Sequence, residues 1–354
     1  MAAVAFYISG HGFGHASRQI EIINTLAARC PHIAIVLRTT VARWLLERNI
    51  GSPFVLDDRP CDTGAVQIDS LHVDAAETIA RAADFYRTLD ARADADAEFL
   101  GRHGVAVVIA DAPPLACAAA ARAGIPSFVV SNFTWDWIYA EYAEHLDTAP
   151  GLIPAIQAAY STAAAAWRLP MHGGFETFDQ IVDVPFVARH ARHARDDTRT
   201  RLGLPLDRRL VLPAFSAYGV QGLDPDRVDA RETWEVVRDM HEQRLYDRGL
   251  RYEDLVGAVD VVLTKPGYGI LSECIANDTA IVYTPRGRFA EYAVLVREMP
   301  RYLRCACLDN DALLAGRWRT ALDAAVSAPA PPERPQTDGA EIVADMIGVL
   351  VPSA

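Results

Sequence analysis

The sequence predicts an α/β protein built from two Rossmann-like domains that face each other across a cleft. Three observations support this. Near the start, the apolar run Val4-Ala5-Phe6-Tyr7-Ile8-Ser9 leads into Gly10-His11-Gly12-Phe13-Gly14-His15. In the second half, Val259-Asp260-Val261-Val262-Leu263-Thr264 leads into Lys265-Pro266-Gly267-Tyr268-Gly269 and on to Ser272 and Glu273. Each reads as a strand, a tight glycine turn and a helix. Such a unit aims backbone N–H groups and a helix N-terminus at whatever lies above the strand, which favours an anion such as a diphosphate. The third observation is length: 354 residues are too many for one ordinary core and comfortable for two.

The first half alternates strand and helix. Residues 3–9 read as strand, and 15–29 as a helix with Ile20, Ile22, Ile23, Leu26 and Ala27 on its apolar face. Residues 33–37 form a strand, 41–48 a helix, 54–55 a short strand and 74–103 a long Ala-rich helical region. Residues 105–110 are a buried-type strand ending at Asp111, 114–123 a helix stopped by Gly124, and 127–130 the next strand. This alternation implies a parallel sheet covered on both faces, with ligands beyond the carboxyl ends of its strands. Residues 135–166 read as helical. Pro170, Gly173, Gly174 and Pro185 break any period over 169–185 and place the domain boundary there. The basic stretch 189–201 reads as a solvated face or linker.

The second half restarts at 209–215, followed by the turn Ser216-Ala217-Tyr218-Gly219. Residues 223–258 are charged and mostly helical, with Val236 and Val237 the only hint of a strand. Strand 259–264, helix 270–277, strand 280–284 and a basic loop at Arg286 and Arg288 come next. The Pro-rich segment 328–337 precedes a last helix at about 339–350, placed to return to the first domain. The expected units are thus 1–185, 186–338 and a closing helix in 339–354.

A net charge of −12 argues against a general nucleic-acid binder, which needs a basic face. The N-terminal apolar run is short, lacks basic residues and passes straight into glycines, unlike a signal peptide. No stretch is long and uncharged enough to span a bilayer. The six cysteines are scattered without a C-x-x-C pair, as expected for packing residues in a reducing cytoplasm.

Gly12-Phe13-Gly14-His15 permits close backbone approach to a ligand, so Gly12 and Gly14 are candidate ligand contacts with His11 beside them. As a dinucleotide fingerprint it fails: the third glycine is missing, and Arg38-Thr39-Thr40 supplies no acid for a ribose. His15 opens a helix at the sheet's carboxyl edge and is a candidate base, as are Asp111 and Asp136 beyond later strand ends. Lys265-Pro266-Gly267-Tyr268-Gly269 is a fixed turn and not a Walker A loop. The N–H groups of this turn and of the first helical residues can cap a diphosphate, which makes Lys265, Gly267, Gly269 and Ser272 candidate contacts, and Glu273 in the first turn of the following helix either accepts from ribose hydroxyls or pairs with the helix dipole. Arg286 and Arg288 suit phosphate oxygens, and Glu291 suits sugar hydroxyls. Asn132, Trp135 and Glu141 belong to a stretch of interleaved rings and polar groups that reads equally as a sugar platform or as core. Asp94-Ala95-Asp96 matches a D-x-D pattern but sits in a helical charge run and reads as a solvated face; no histidine cluster has zinc spacing, His190 and His193 lying in the basic linker without partners.

These pieces resemble a GT-B glycosyltransferase, of the group that includes the GlcNAc transferase of peptidoglycan synthesis, and are similar to the glycosyltransferase-like N-terminal region of arabinokinases. The resemblance is carried by Gly10 to His15, Gly64-Ala65-Val66-Gln67, Ser131-Asn132-Phe133-Thr134-Trp135-Asp136 through Glu141-Tyr142, and Thr264 to Gly269 through Ser272-Glu273-Cys274. It implies a nucleotide-sugar donor in the C-terminal domain, an acceptor in the N-terminal one, inversion at the anomeric carbon, and no metal or other cofactor. By position it puts Glu273 on the donor ribose, Gly267 and Gly269 at the diphosphate and His15 on the acceptor side. The turn at 216–219 is poorer in glycine than the resemblance asks for, and the arabinokinase-type kinase phosphate loop does not occur. Two rival readings stay open: a nucleotide-sugar epimerase or hydrolase, and a non-catalytic nucleotide-sugar-binding module.

Overall fold

The computed structural model describes residues 2–215, 219–230, 232–238 and 240–351. The first sheet has seven strands: β1 (Ala3–Tyr7), β2 (Ala34–Arg38), β3 (Phe54–Asp57), β4 (Val105–Ala110), β5 (Ser127–Phe133), β6 (Ala165–Gly173) and β7 (Ile181–Asp183). They pair in the order β3-β2-β1-β4-β5-β6-β7, all parallel. Between them run α1 (Phe13–Arg29), α2 (Arg43–Asn49), α3 (Ala75–Tyr86), α4 (Leu89–Arg102), α5 (Pro114–Ala123), α6 (Trp135–Ala140), α7 (Ala143–Leu146) and α8 (Leu152–Tyr160). Strand order reverses between β1 and β4. That switch point opens a crevice at the carboxyl edge, where this class of sheet binds ligands. α1 leaves β1 there, and Asp111 follows β4.

The second domain begins with α9 (Arg195–Leu202) and holds five strands: β8 (Arg209–Pro213), β9 (Trp234–Val236), β10 (Val261–Thr264), β11 (Ala280–Tyr283) and β12 (Cys305–Cys307). Their order is β12-β11-β10-β8-β9, again all parallel. Its helices are α10 (Glu242–Tyr246), α11 (Tyr252–Ala258), α12 (Tyr268–Ala276), α13 (Glu291–Glu298), α14 (Asn310–Leu314) and α15 (Arg319–Ser327). The switch point falls between β8 and β10, so the Lys265–Gly269 turn stands at it. α16 (Gly339–Leu350) packs on the first domain, its Val343, Ala344 and Ile347 joining Ile20, Ile23 and Leu26 of α1 in one apolar layer. Each fully buried aliphatic side chain there contributes about 1.5–3 kcal/mol.

Several segments differ from their sequence reading. Residues 74–103 form two helices broken at Arg87 and Thr88. Residues 135–166 hold three short helices before entering β6, and 169–185 supply much of β6 and all of β7. Pro170 hides this strand: the pairing jumps from Ser131–Arg168 to Phe133–Gly173, and Met171 inside the bulge has φ 58°. The basic stretch 189–201 is solvated along most of its length, as expected of a solvated face, but it is anchored to the second domain and is no free linker. In α9, Thr198, Arg199 and Leu202 are buried, and Arg199 donates to Ala258 O and Asp260. His190 and His193 have partners, Thr337 and Asp197. Asp94 pairs with Arg122 at the surface, but Asp96 is fully buried, accepting from Tyr7 Oη at 3.1 Å and facing Arg38 Nη2 at 3.0 Å. Ser216, Ala217 and Tyr218 of the expected second turn lie outside the described residues.

Candidate active site between the two domains

The two switch points face one cleft of about 1140 Å³. The glycine turns that end β1 and β10 nearly touch at its back. A Cβ on Gly269 would stand 2.9 Å from Gly14 Cα, so only glycine lets the N-terminal ends of α1 and α12 approach so closely. The domains are also tied at the rims. Gly287 N donates to Leu71 O at 2.9 Å, Tyr142 Oη to Arg288 O at 3.0 Å, and Arg251 Nη1 to Asn49 Oδ1 at 2.7 Å.

On the first-domain wall, His15 lines the cleft and its Nδ1 bonds Asp111 Oδ2. Asp111 Oδ1 accepts from Arg18, whose other arm donates to Asn132 Oδ1. Asp111 has no exposed surface. Burial alone would raise its carboxyl, but His15 and Arg18 outweigh burial and hold it well below the usual carboxylate range. It is therefore a fixed anion behind His15 rather than an accessible base. With Nδ1 engaged, Nε2 is the ring nitrogen left for a ligand. His11 lines the same wall, with Nε2 3.9 Å from the buried Asp62. Burial, only partly offset by Asp62, lowers the His11 pKa, favouring a neutral ring.

On the opposite wall, the N-terminus of α12 faces the cleft. Gly267 is its N-cap and Leu271 N bonds back to Gly267 O, so the N–H groups of Tyr268, Gly269 and Ile270 precede the first intrahelical donor. Lys265 stands below this turn, its ammonium pushed down to about 7 by burial and then by Arg286. Arg286 pairs with Glu291 at 3.0 Å and stacks over the Phe289 ring, and both charged groups reach the cleft. Glu273 also lines the cleft, in the second turn of α12 rather than the first. Its Oε1 accepts from Arg189 Nε at 2.8 Å and also from Nη2.

No known protein-family profile matches the chain. It is 30% identical over 344 residues to the L-arabinokinase of Arabidopsis thaliana, an alignment covering 91% of this chain and 32% of that protein. The chain thus spans about a third of the relative's length. Among solved structures it superposes on CalG4, the calicheamicin glycosyltransferase, with a TM-score of 0.62 and 16% identity over 99% of this chain and 98% of that one. The glycosyltransferase VinC, in complex with dTDP, gives 0.61 and 13% over 99% and 98%. MurG of Acinetobacter baumannii gives 0.52 and 11% over 99% and 100%. The chain has the GT-B fold.

Within this GT-B cleft, His11, Gly12, Gly14, His15 and Trp135 come together from the first domain, and Lys265, Gly267, Gly269, Glu273, Arg286 and Glu291 from the second. Other predicted residues stand elsewhere. Asp136 is buried away from the cleft, accepting from Gln157 at 3.2 Å and Thr177 at 3.4 Å, so it is a structural carboxylate and not a base. Arg288 and Glu141 lie on the outer rim, where Arg288 pairs with Glu144 and Glu141 sits 3.8 Å away; neither lines the cleft. Asn132 and Ser272 face a small void at the seam of the domains; Asn132 orients Arg18, and Ser272 Oγ bonds Gly269 O at 3.0 Å. Trp135 is no open stacking platform: it is 3% exposed, stacked on Tyr139, with Nε1 donating to Asp62 at 3.0 Å. Sequence reasoning missed Arg18 and Arg189. It also missed the rings of Phe13 and Trp44, which line the cleft while 46% and 47% exposed. Among the described residues, no group of three or more His, Cys, Asp or Glu side chains is placed to hold a metal ion, and no helix is long and apolar enough to cross a membrane.

Proposed function

We propose that this protein transfers a sugar from a nucleoside diphosphate sugar to an acceptor hydroxyl bound in the cleft. One observation carries the proposal: an oriented His15–Asp111 dyad and an amide-rich helix end flanked by two cations face the same cavity from opposite domains. The acceptor hydroxyl gives its proton to His15 Nε2 while Asp111 keeps the other ring proton on Nδ1 and stabilises the imidazolium. The acceptor oxygen forms a bond to the anomeric carbon from the face opposite the diphosphate. The bond from that carbon to the phosphate oxygen breaks, its electron pair leaving with the diphosphate, and configuration inverts. The N–H groups at the start of α12, Lys265 and Arg286 meet the charge that develops on the leaving oxygens. Fixed positive groups of this kind perform the task a divalent ion performs elsewhere, so the reaction is proposed to be metal-independent. The dTDP named with VinC belongs to the same chemical class as the proposed leaving group.

A thermal-shift screen over nucleoside diphosphate sugars tests the reading. At 100-fold excess over Kd, a true donor adds about 2.7 kcal/mol of stability, a clear rise in Tm. Glu273→Ala is expected to weaken binding of the best nucleotide among UDP, GDP, ADP and TDP by about 1–3 kcal/mol, the range for a lost charged hydrogen bond. Unaltered titration heats in that variant, or no nucleotide that stabilises the protein, would overturn the assignment. Release of free sugar at the same rate with and without acceptor would indicate a hydrolase instead.

A further inference from the structure

Arg189 joins two buried carboxylates at the cleft wall. Glu273 on α12 and Glu253 on α11 are 4% and 5% exposed. Arg189 lies between them, with Nε 2.8 Å from Glu273 Oε1 and Nη1 3.1 Å from Glu253 Oε2. Arg189 and Glu273 line the cleft. Glu253 stands behind them.

The backbone that carries Arg189 is held to the second domain at several points. Asn277 on the far end of α12 donates to Arg189 O at 3.0 Å and accepts from Ala191 N at 2.7 Å. Asp254 on α11 accepts from Arg192 N at 2.6 Å and His193 N at 3.2 Å. The guanidinium is thus delivered from a fixed platform, with Glu253 bracing it from behind. A rigid planar fork of this kind sets the orientation of the carboxylate it grips.

The hydrogen bonds to Glu273 are unevenly shared. Oε1 receives both arms of Arg189. Oε2 receives no hydrogen bond from any described residue, which leaves it as the acceptor available to a ligand. Burial pushes the Glu273 carboxyl up, and Arg189 is the largest force against protonation. An ionised carboxylate with one oxygen held and one open suits vicinal hydroxyls, which donate and need an acceptor.

Resting on the reading that the cleft binds a nucleoside diphosphate, we propose that Arg189 is a positioning residue that holds Glu273 for the ribose 2′- and 3′-hydroxyls, so that the site selects ribonucleoside diphosphates over their 2′-deoxy counterparts. A substrate lacking one hydroxyl leaves a charged acceptor unpaired in a partly desolvated place.

The test is calorimetric titration of UDP, GDP and ADP and of the three 2′-deoxy forms into the wild type, Arg189→Gln, Glu273→Gln and the pair Arg189→Gln with Glu273→Gln. The wild type is expected to favour the ribo form of its best nucleotide by about tenfold or more, the value of one hydrogen bond to a charged group. Arg189→Gln is expected to bring that ratio to within about twofold, and adding Glu273→Gln to change it no further, since residues that act as a unit are not additive. Arg189→Lys, which keeps the charge but not the fork, should restore only part of the preference. If Arg189→Gln does not fold because two carboxylates are left unpaired, Arg189→Gln with Glu253→Gln removes one charge of each sign and is expected to show the same lost ratio. Weaker binding with the wild-type ratio retained would overturn the role of Arg189, as would a wild type indifferent to the 2′-hydroxyl. A wild type that binds none of the six would overturn the nucleotide reading as well.

Discussion

Asp111→Asn tests the dyad without removing the imidazole. The native side chain is fully buried, with Oδ2 on His15 Nδ1 and Oδ1 on Arg18, and Gln19 Nε2 3.5 Å from the same Oδ1. Asparagine offers one acceptor and one donor in that space. With its NH2 toward Arg18 and Gln19, donors would meet donors in the core, costing about 1–3 kcal/mol for the unsatisfied groups. The amide therefore turns its NH2 toward His15. Nδ1 must then accept, and the ring proton moves to Nε2, the nitrogen that should receive the acceptor's proton. General-base assistance is worth about 10²–10⁴-fold, so kcat is expected to fall by about that factor, equal to about 2.7–5.5 kcal/mol of barrier. Removing the anion beside buried Arg18 is also expected to cost about 3–5 kcal/mol of stability, read as a lower urea midpoint. Donor affinity should not change, because the amides, Lys265 and Arg286 belong to the other domain. Turnover is followed by nucleoside diphosphate release with a donor and acceptor active in the wild type, and affinity by calorimetry. A folded variant with wild-type kcat, or one that loses donor affinity in proportion to rate, would refute the assigned division of labour.

Lys265 predicts a pH dependence of binding. Its folded pKa of about 7 lies below the value of about 10.4 in the unfolded chain. Nucleoside diphosphate affinity, measured by calorimetry, should fall as pH rises through 7, and Lys265→Met should flatten that slope; equal slopes in the two proteins would remove Lys265 from the site. Stability of the free protein should move the other way, since between about pH 7 and 10 the unfolded chain binds one more proton there. Gly269→Ala places a methyl 2.9 Å from the Gly14 backbone, with no flexible side chain to yield, and is expected to cost about 1–3 kcal/mol and to lower nucleotide affinity. Gly267→Ala meets only Lys265 Nζ at 3.4 Å and serves as the milder control; a wild-type Tm for Gly269→Ala would show that the two turns do not need their close approach.

Much of the fold is legible because buried parallel strands announce themselves. The runs at β1, β4 and β10 are continuous apolar segments that end in glycine, proline or aspartate, and each proves fully buried or nearly so. β6 escapes the same test although Trp167, Leu169 and Met171 alternate inward, because Pro170 and two glycines imitate a loop. What the eye reads as a boundary is a bulge, and a bulge is stabilised by the neighbouring strand rather than by its own residues. β9 is three residues long, and a strand that short leaves too little pattern to separate it from the charged helices around it.

The site divides along a similar line. His15 and the α12 turn are legible because topology alone delivers them: a residue in the first turn of a helix that follows a strand lies at the carboxyl edge, whichever side chain it carries. The roles of Asp111, Arg18 and Arg189 depend instead on pairing across the chain. Asp111 looks like a rival base until His15, 96 positions away, is seen to own one of its oxygens. Arg189 looks like part of a solvated basic run until its partners, 64 and 84 positions away, enclose it. A buried charge cannot be told from an exposed one by its neighbours in sequence, since its cost is met by whichever opposite charge the fold brings up. That asymmetry explains why the rim residues Arg288 and Glu141 read as site residues and Arg189 did not. All three sit in charged segments, but only Arg189 is gripped from both sides at the cleft wall, where a held guanidinium can impose order on the carboxylate beside it.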